Sequence, residues 1–103
     1  MSVAGQGEIW WAETEEKRRP VLVVTRSEAV SVLTGIVVAP VTRTIRDIPT
    51  EIRLGESEGL PVACAASFDN LQRIRRSALT ERIGELGRRR EQIRAALRAL
   101  ADC

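Results

Sequence analysis

Short apolar runs rich in Val, Ile, Leu and Thr recur along the whole chain, and none approaches the length of a membrane-spanning helix. Charged or glycine-containing segments separate these runs, as turns separate strands. They predict short β-strands over residues 7–14, 20–25, 34–42, 48–54, 62–68, 71–74 and 79–86. Only residues 87–101 have the apolar spacing of an amphipathic helix. We therefore expect a mainly β fold, a small and strongly bent antiparallel barrel with a C-terminal helix.

The length of 103 residues suits one domain over residues 1–103, with 1–6 and 102–103 as mobile ends. A domain this small has little stability in reserve, so a partner subunit would suit it. The first residues lack the basic start and apolar stretch of a secretion signal. Cys64 and Cys103 do not have the spacing of metal ligands. We expect a cytoplasmic protein with free thiols, no metal and no cofactor.

Arginine dominates the basic residues. Lys17 is the only lysine among 16 Lys and Arg residues, although the net charge is only +2. A guanidinium is a planar fork that binds phosphate through two hydrogen bonds. Arginines outnumber acids over residues 73–98, which predicts a positive surface there. The chain has no histidine and no tyrosine, so proton transfer at neutral pH would need other groups.

The segment EEKRRPVLVVT, residues 15–25, places charge directly before an apolar strand. Pro20 has no backbone N–H to donate a hydrogen bond within a sheet, and it therefore suits the start of a strand. Arg19 would therefore be mounted on a stiff base, where it is either a solvated charge or a phosphate-binding group. Pro40, inside the predicted strand 34–42, indicates an edge strand or a bulge.

Several segments together resemble the MazF/PemK family of toxin endoribonucleases from bacterial toxin–antitoxin modules. In chain order they are GEIWW, RRPVLVVT, IVVAPVTRT, IPTEIRL, ASFDNLQRI and LTERIGEL, followed by the helix. The resemblance covers roughly residues 7–100. It implies a compact SH3-like barrel that forms a homodimer. It also implies metal-independent, sequence-selective cleavage of single-stranded RNA, which arrests translation, and inhibition by an antitoxin whose flexible, often acidic tail lies across the toxin.

The same resemblance assigns catalytic residues. Arg19 matches the arginine of the family's Arg-Pro motif, which is implicated in catalysis. Thr42 matches a Ser or Thr that contacts the reacting phosphate, and Thr44 takes this role if the register differs. Glu15 and Glu16 lie in the first loop, where some members place an acid as general base.

A solvated role remains open for Glu15 and Glu16, as partners of Lys17 or Arg18.

RNA-binding candidates are Arg18, Arg43, Thr44, Arg46, Asp69, Asn70, Arg73 and Trp11. Asp69 and Asn70 match an Asp-Gln/Asn pair of the family, although such a pair is also typical of a turn. Trp10 and Trp11 must face opposite sides of a strand; one should be core, and the other could stack on a base or lie on a dimer surface.

Two other functions remain open from the sequence. The chain could be a non-catalytic RNA- or protein-binding barrel, because SH3-like folds often only bind. It could also be a toxin of the same fold that acts on DNA gyrase. The Arg-Pro strand and the strand end at Thr42 favour the ribonuclease.

Overall fold

The computed structural model describes residues 4–30 and 32–102. Residues 1–3 and 103, which include part of the expected mobile ends, lie outside the described residues. The strands are β1 Glu8–Glu13, β2 Arg18–Val23, β3 Gly35–Thr42, β4 Glu51–Leu54, β5 Cys64–Ser67, β6 Gln72–Arg75 and β7 Leu79–Glu85. The helices are α1 Ser27–Val30 and α2 Glu91–Ala101, with 3-10 helices at Glu56–Glu58, Phe68–Asn70, Arg76–Ala78 and Gly87–Arg90.

The strands form one antiparallel sheet in the order β4-β5-β3-β2-β1-β7, and β6 also pairs with β3. Strand β3 is the centre of this arrangement. Residues 35–38 pair with β6, whereas Val41 and Thr42 pair with β5. One edge of β3 thus pairs with two short strands in succession, and the sheet curls around β3. The curled antiparallel sheet with a C-terminal helix confirms the predicted fold class.

The 3-10 helix Glu56–Glu58 lies against β7 and brings the two ends of the sheet together. A Cβ atom added to Gly84 would lie 2.0 Å from the carbonyl oxygen of Glu58. Only glycine permits so close a backbone approach. The contact therefore depends on the absence of a side chain in β7.

Both faces of the central strands are covered by other parts of the chain. Leu22 belongs to a core cluster that includes Ile93 and Ala96 of α2. Its neighbours Val21 and Val23 point the other way, into a second cluster that includes Val30 of α1 and Val38 of β3. The uninterrupted apolar run PVLVVT is explained by this burial on two sides.

Helix α2 is shorter than the predicted helix over residues 87–101, because residues 87–90 form a 3-10 turn instead. Ile93 and Ala96 are buried on its inner face, as the apolar spacing predicts, and Leu97 is 37% exposed. None of the helices within the described residues has the length and apolar character needed to span a membrane.

Pro40 predicts an edge strand or a bulge, and the edge strand is wrong, since β3 has neighbours on both sides. Pro40 pairs with Val21 of β2. On the other edge, pairing with β6 ends at Val38 and pairing with β5 begins at Val41. The residue without a backbone N–H thus lies in the interval between two partner strands, where a central strand tolerates it.

Candidate active site

Arg19 and Thr42 lie on the same face of the sheet, at the same end of neighbouring strands. Val21 of β2 pairs with Pro40 of β3. Arg19 lies two residues before Val21, and Thr42 lies two residues after Pro40, so antiparallel pairing carries both to one end. Side chains two residues apart share a face. The sheet therefore brings together the two residues that the sequence predicts for catalysis.

The guanidinium of Arg19 is incompletely satisfied. Arg19 is half-buried in β2 and pairs with Ala12 of β1. Its Nε is buried and has no hydrogen-bond partner among residues 4–30 and 32–102. A buried donor without a partner costs free energy, and such groups are rare in native proteins. Arg19 thus lies in the sheet as a cation whose hydrogen bonding is not complete within the described residues.

Thr42 ends β3 and fixes the turn that follows it. Its Oγ1 accepts a hydrogen bond from the backbone N–H of Thr44 at 3.1 Å. A hydroxyl that accepts in this way can still donate its own proton. Thr44 itself is exposed beyond the strand end. The geometry favours Thr42 over Thr44 as the hydroxyl closest to Arg19 in the sheet.

Residues 43–47 form a turn held by Glu51, a residue that the sequence analysis did not single out. Arg43 and Arg46 are exposed there. The backbone N–H of Arg46 donates to Oε1 of Glu51 at 2.9 Å. Oε2 of Glu51 is buried and has no hydrogen-bond partner in the described part of the chain. The alternation of apolar residues in 48–54 indicates only that Glu51 points away from the core, and it carries no sign that this face is covered.

Glu51 shares the face of Arg19 and Thr42. It pairs with Ser67 of β5. Thr42 pairs with Ala65, which lies two residues from Ser67 on the same strand. Since residues two apart share a face, Thr42, Ser67 and Glu51 point to one side.

The loop acids Glu15 and Glu16 lie in the exposed hairpin between β1 and β2. The hairpin closes through the backbone N–H of Thr14, which donates to the carbonyl of Lys17 at 3.1 Å. No hydrogen bond or ion pair joins Glu15 or Glu16 to another described residue. The two carboxylates are free to meet a ligand.

Arg18 does not pair with these acids. It lies 3.7 Å from Glu13 and 3.3 Å from Glu81, and all three side chains are exposed. Its Cζ also lies 4.2 Å from the ring centroid of Trp11. A guanidinium over a ring is a cation–π contact. One face of Trp11 is therefore covered by Arg18, while Trp10 packs against the second core cluster.

Asp69 and Asn70 take part in contacts within the chain. Oδ2 of Asp69 accepts a hydrogen bond from the Thr50 hydroxyl at 3.0 Å. Nδ2 of Asn70 donates to the hydroxyl of Ser67, also at 3.0 Å. Both residues remain exposed in the 3-10 helix after β5. The Asp69 bond connects this 3-10 helix to Thr50, directly before β4, whereas the Asn70 bond returns to the end of β5.

Arg73 is not brought to this cluster. It pairs with Val37 of β3, five residues from Thr42, or about 16 Å along the strand. Val37 and Thr42 differ by an odd number of residues and therefore face opposite sides. The guanidinium of Arg73 lies over Gly35, where an added Cβ would be 2.5 Å from Cζ.

No group of three or more Cys, Asp or Glu side chains suited to a metal ion occurs in the part of the chain that the structure describes.

Comparison with known proteins identifies the family. Residues 5–101 match the model for the PemK-like, MazF-like toxin of type II toxin-antitoxin systems. The chain belongs to this family. A relative named as the probable endoribonuclease MazF5 of Mycobacterium tuberculosis (strain ATCC 25618 / H37Rv) is 35% identical over 105 residues. The match covers 99% of this chain and 96% of that protein.

Solved structures show the same fold. The Mycobacterium tuberculosis toxin MazF-mt6 is 34% identical, with a TM-score of 0.84 over 92% of this chain and 96% of that one. A mycobacterial endoribonuclease in complex with its cognate antitoxin is 22% identical, with a TM-score of 0.82 over 97% of this chain and 96% of that one. The first of these structures and the MazF5 relative agree with the family likeness that the sequence motifs indicate.

Proposed function

We propose that this MazF/PemK-family chain is the toxin of a type II toxin–antitoxin module. It is an endoribonuclease that cleaves single-stranded RNA at selected sequences. Cleavage of messenger RNA, transfer RNA or ribosomal RNA arrests translation and growth. The observation that carries the proposal is the shared face of Arg19 and Thr42 at one end of β2 and β3, with the Arg19 Nε left without a partner in the described chain.

The chemistry follows from the substrate. The 2′-hydroxyl of the RNA loses its proton, and its oxygen attacks the adjacent phosphorus. The P–O5′ bond breaks and the leaving 5′-oxygen takes up a proton from water, which leaves a 2′,3′-cyclic phosphate and a 5′-hydroxyl. The nucleophile belongs to the RNA, so no metal-bound water is needed to supply one. Arg19 stabilises the additional negative charge on the phosphoryl oxygens. The hydroxyl of Thr42 donates to one of these oxygens and holds the phosphate in line.

Glu15 or Glu16 accepts the proton of the 2′-hydroxyl in this proposal. Both carboxylates are exposed and unpaired within the described residues, and the hairpin that carries them leads directly into Arg18 and Arg19. A general base must lie within hydrogen-bond reach of the proton that it removes. The hairpin would approach the RNA when the substrate binds.

The remaining predicted residues hold the RNA on either side of the scissile bond. Arg43, Thr44 and Arg46 are exposed directly after Thr42. The other contacts come from Arg18, Trp11, Asp69, Asn70 and, for a longer RNA, Arg73. Arginines bind phosphates without regard to sequence, whereas base edges and stacking supply selectivity in single-stranded RNA.

The partners of the proposed toxin follow from its family. It works in the bacterial cytoplasm as a homodimer, and its cognate antitoxin inhibits it through a flexible segment. The family is described as a toxin of type II toxin-antitoxin systems, and this description supports the proposal that an antitoxin binds the chain.

The test is cleavage of a long defined RNA by purified protein in excess EDTA. Arg19→Ala is compared with Arg98→Ala, which removes an exposed arginine from α2. We expect discrete cuts with the wild type and Arg98→Ala, and none with folded Arg19→Ala. RNA that stays whole with the wild type contradicts the proposal. RNA binding without cuts would then indicate a binding barrel, and inhibition of DNA gyrase would indicate the other toxin class.

A further inference from the structure

The turn after Thr42 offers three adjacent hydrogen-bonding side chains to a ligand. Arg43, Thr44 and Arg46 are all exposed, and they follow a strand whose end lies beside Arg19. A guanidinium and a hydroxyl can both contact base edges as well as phosphates. Their usefulness for recognition depends on whether the backbone of the turn has one fixed shape.

Two bonds from side chains give the turn its shape. The Thr42 hydroxyl accepts from the N–H of Thr44 at 3.1 Å, and Oε1 of Glu51 accepts from the N–H of Arg46 at 2.9 Å. Between Arg46 and β4 the chain turns through Asp47, which has a φ of 54°. A positive φ is strained for a residue other than glycine, so neighbouring contacts must maintain it.

The two anchors differ in strength. A carboxylate accepts an N–H bond roughly twice as strongly as a neutral group does. Asp47 also forms an ion pair with Arg53 at 2.8 Å, but that pair is exposed and contributes little to the stability of the turn. Glu51 is half-buried, and its second oxygen has no accessible surface and no partner in the described chain. Glu51 is therefore fixed in place by its surroundings and holds Arg46 from a rigid strand.

We infer that Glu51 is a positioning residue which orders residues 43–46 and thereby selects the RNA sequence that is cut. Glu51 acts through the backbone N–H of Arg46 and does not itself touch the RNA. The inference rests on the proposed ribonuclease function and adds the element that determines its specificity. Loss of the anchor lets the three side chains of the turn move, so their contacts to bases lose definition while Arg19 and Thr42 stay in the sheet.

The experiment compares cut-site maps of Glu51→Ala, Glu51→Gln and a control, Glu56→Ala, on one long single-stranded RNA. Rates at individual sites are expressed relative to one another within each digest. A smaller folded fraction lowers all rates equally and leaves the ratios unchanged. A displaced turn changes the ratios, which makes them a measure of positioning and not of stability.

We expect Glu51→Ala to change the ratios between preferred and secondary sites by about tenfold, the discrimination that a well-placed hydrogen-bonding side chain supplies. Glu51→Gln should restore them to within about twofold, because the Gln carbonyl can also accept from the N–H of Arg46. Hydrogen exchange should show the Arg46 amide protected in the wild type and Glu51→Gln, and unprotected in Glu51→Ala. Glu56 is exposed, and its replacement should leave the map unchanged.

Unchanged ratios in Glu51→Ala, with an active wild type, overturn this inference and leave the proposed function intact. If Glu51→Gln changes the ratios as much as Glu51→Ala does, the inference is also overturned, because a hydrogen-bond acceptor for the Arg46 N–H would then not be what orders the turn. RNA that the wild type does not cut overturns the proposed function, and the inference falls with it.

Discussion

The hydroxyl of Thr42 accepts a hydrogen bond from the backbone N–H of Thr44 at 3.1 Å, so β3 passes directly into an ordered turn. This bond uses the oxygen of Thr42 as an acceptor and leaves its proton for a ligand. Thr42 therefore has two roles in the proposed site, one toward the backbone and one toward the phosphate. Thr42→Val removes both roles, whereas Thr42→Ser keeps both.

Thr42→Val should lower the single-turnover rate on a defined RNA by about 10²-fold, because it removes the donor to the phosphoryl oxygen. Thr42→Ser should recover most of the rate, since it keeps the hydroxyl. Thr44→Val should lower the single-turnover rate much less than Thr42→Val does if Thr42 is the residue at the reacting phosphate. A greater loss in Thr44→Val would transfer the role to Thr44. Thermal melts of each variant show whether the fold is intact.

Arg19→Lys tests whether the guanidinium shape matters beyond its charge. We expect Arg19→Ala to lower the rate by about 10³-fold, and Arg19→Lys to recover only a small part of it, because an ammonium cannot bind two phosphate oxygens in one plane. Stability should respond differently. The buried Nε of Arg19 has no partner in the described chain, so the free energy of unfolding of Arg19→Ala should stay within about 1 kcal/mol of the wild type.

A denaturation curve in urea gives this free energy. If Arg19→Ala unfolds far more easily than the wild type, the arginine supports the fold and its loss of activity says nothing about catalysis. Arg98→Ala on α2 serves as the matched control for removal of an arginine.

The positions of the strands could be predicted from local sequence, but their pairing could not. Alternation and turn residues located every strand, because short-range chemistry decides where a strand can form. The charge in residues 15–19 indicates a loop that ends at Pro20, whereas Arg18 and Arg19 belong to β2. The rigidity of Arg19 therefore comes from pairing with Ala12 as well as from the proline that follows it. Local composition cannot reveal such pairing, since it depends on the hairpin register.

The site was predictable where a motif names a residue, and unpredictable where the role of a residue depends on how the folded sheet covers it. Arg19 and Thr42 carry motif signals, and the sheet places them together. Glu51 acquires its importance only from the fold, which covers its second oxygen and directs the first to Arg46. Pro40 illustrates the same limit, because its tolerance in a central strand depends on two partner strands that follow much later in the chain.

Cys64 should be unreactive in the native protein. Burial raises the pKa of its thiol above the ordinary value of 9.0, the nearby charge of Glu58 raises it further, and Arg43 acts in the opposite direction. In a Cys103→Ser background at pH 8, a thiol reagent should label Cys64 at least about 10²-fold more slowly in native than in unfolded protein.

The raised pKa of Cys64 also makes the free energy of unfolding depend on pH. A thiol whose folded pKa is raised contributes stability fully below the unfolded pKa, and this contribution is lost as pH rises above 9.0. Cys64→Ala should therefore show a smaller decline in the free energy of unfolding at alkaline pH. Fast labelling of native protein would show that Cys64 is accessible and would contradict both expectations.

Arg89→Ala should destabilise the protein by about 2–4 kcal/mol, because it leaves a buried carboxylate without its charged partner. Nη1 of Arg89 donates to Oε2 of Glu58 at 2.9 Å, and the Glu58 side chain is only 7% exposed. Nη2 of Arg89 also donates to the carbonyl of Arg53 at 2.6 Å. Arg89 thus joins the C-terminal 3-10 turn to β4 and to the 3-10 helix that packs on β7.

The neighbouring Arg88 provides the control, since it is exposed in the same 3-10 turn. Arg88→Ala should change the free energy of unfolding by no more than about 0.5 kcal/mol in urea titrations. The double variant Arg89→Ala with Glu58→Gln should be more stable than Arg89→Ala alone, because the buried charge is then removed. Equal stability of Arg88→Ala and Arg89→Ala would mean that the ion pair does not support the closure of the sheet. A double variant no more stable than Arg89→Ala would instead attribute the loss to the hydrogen bond with Arg53.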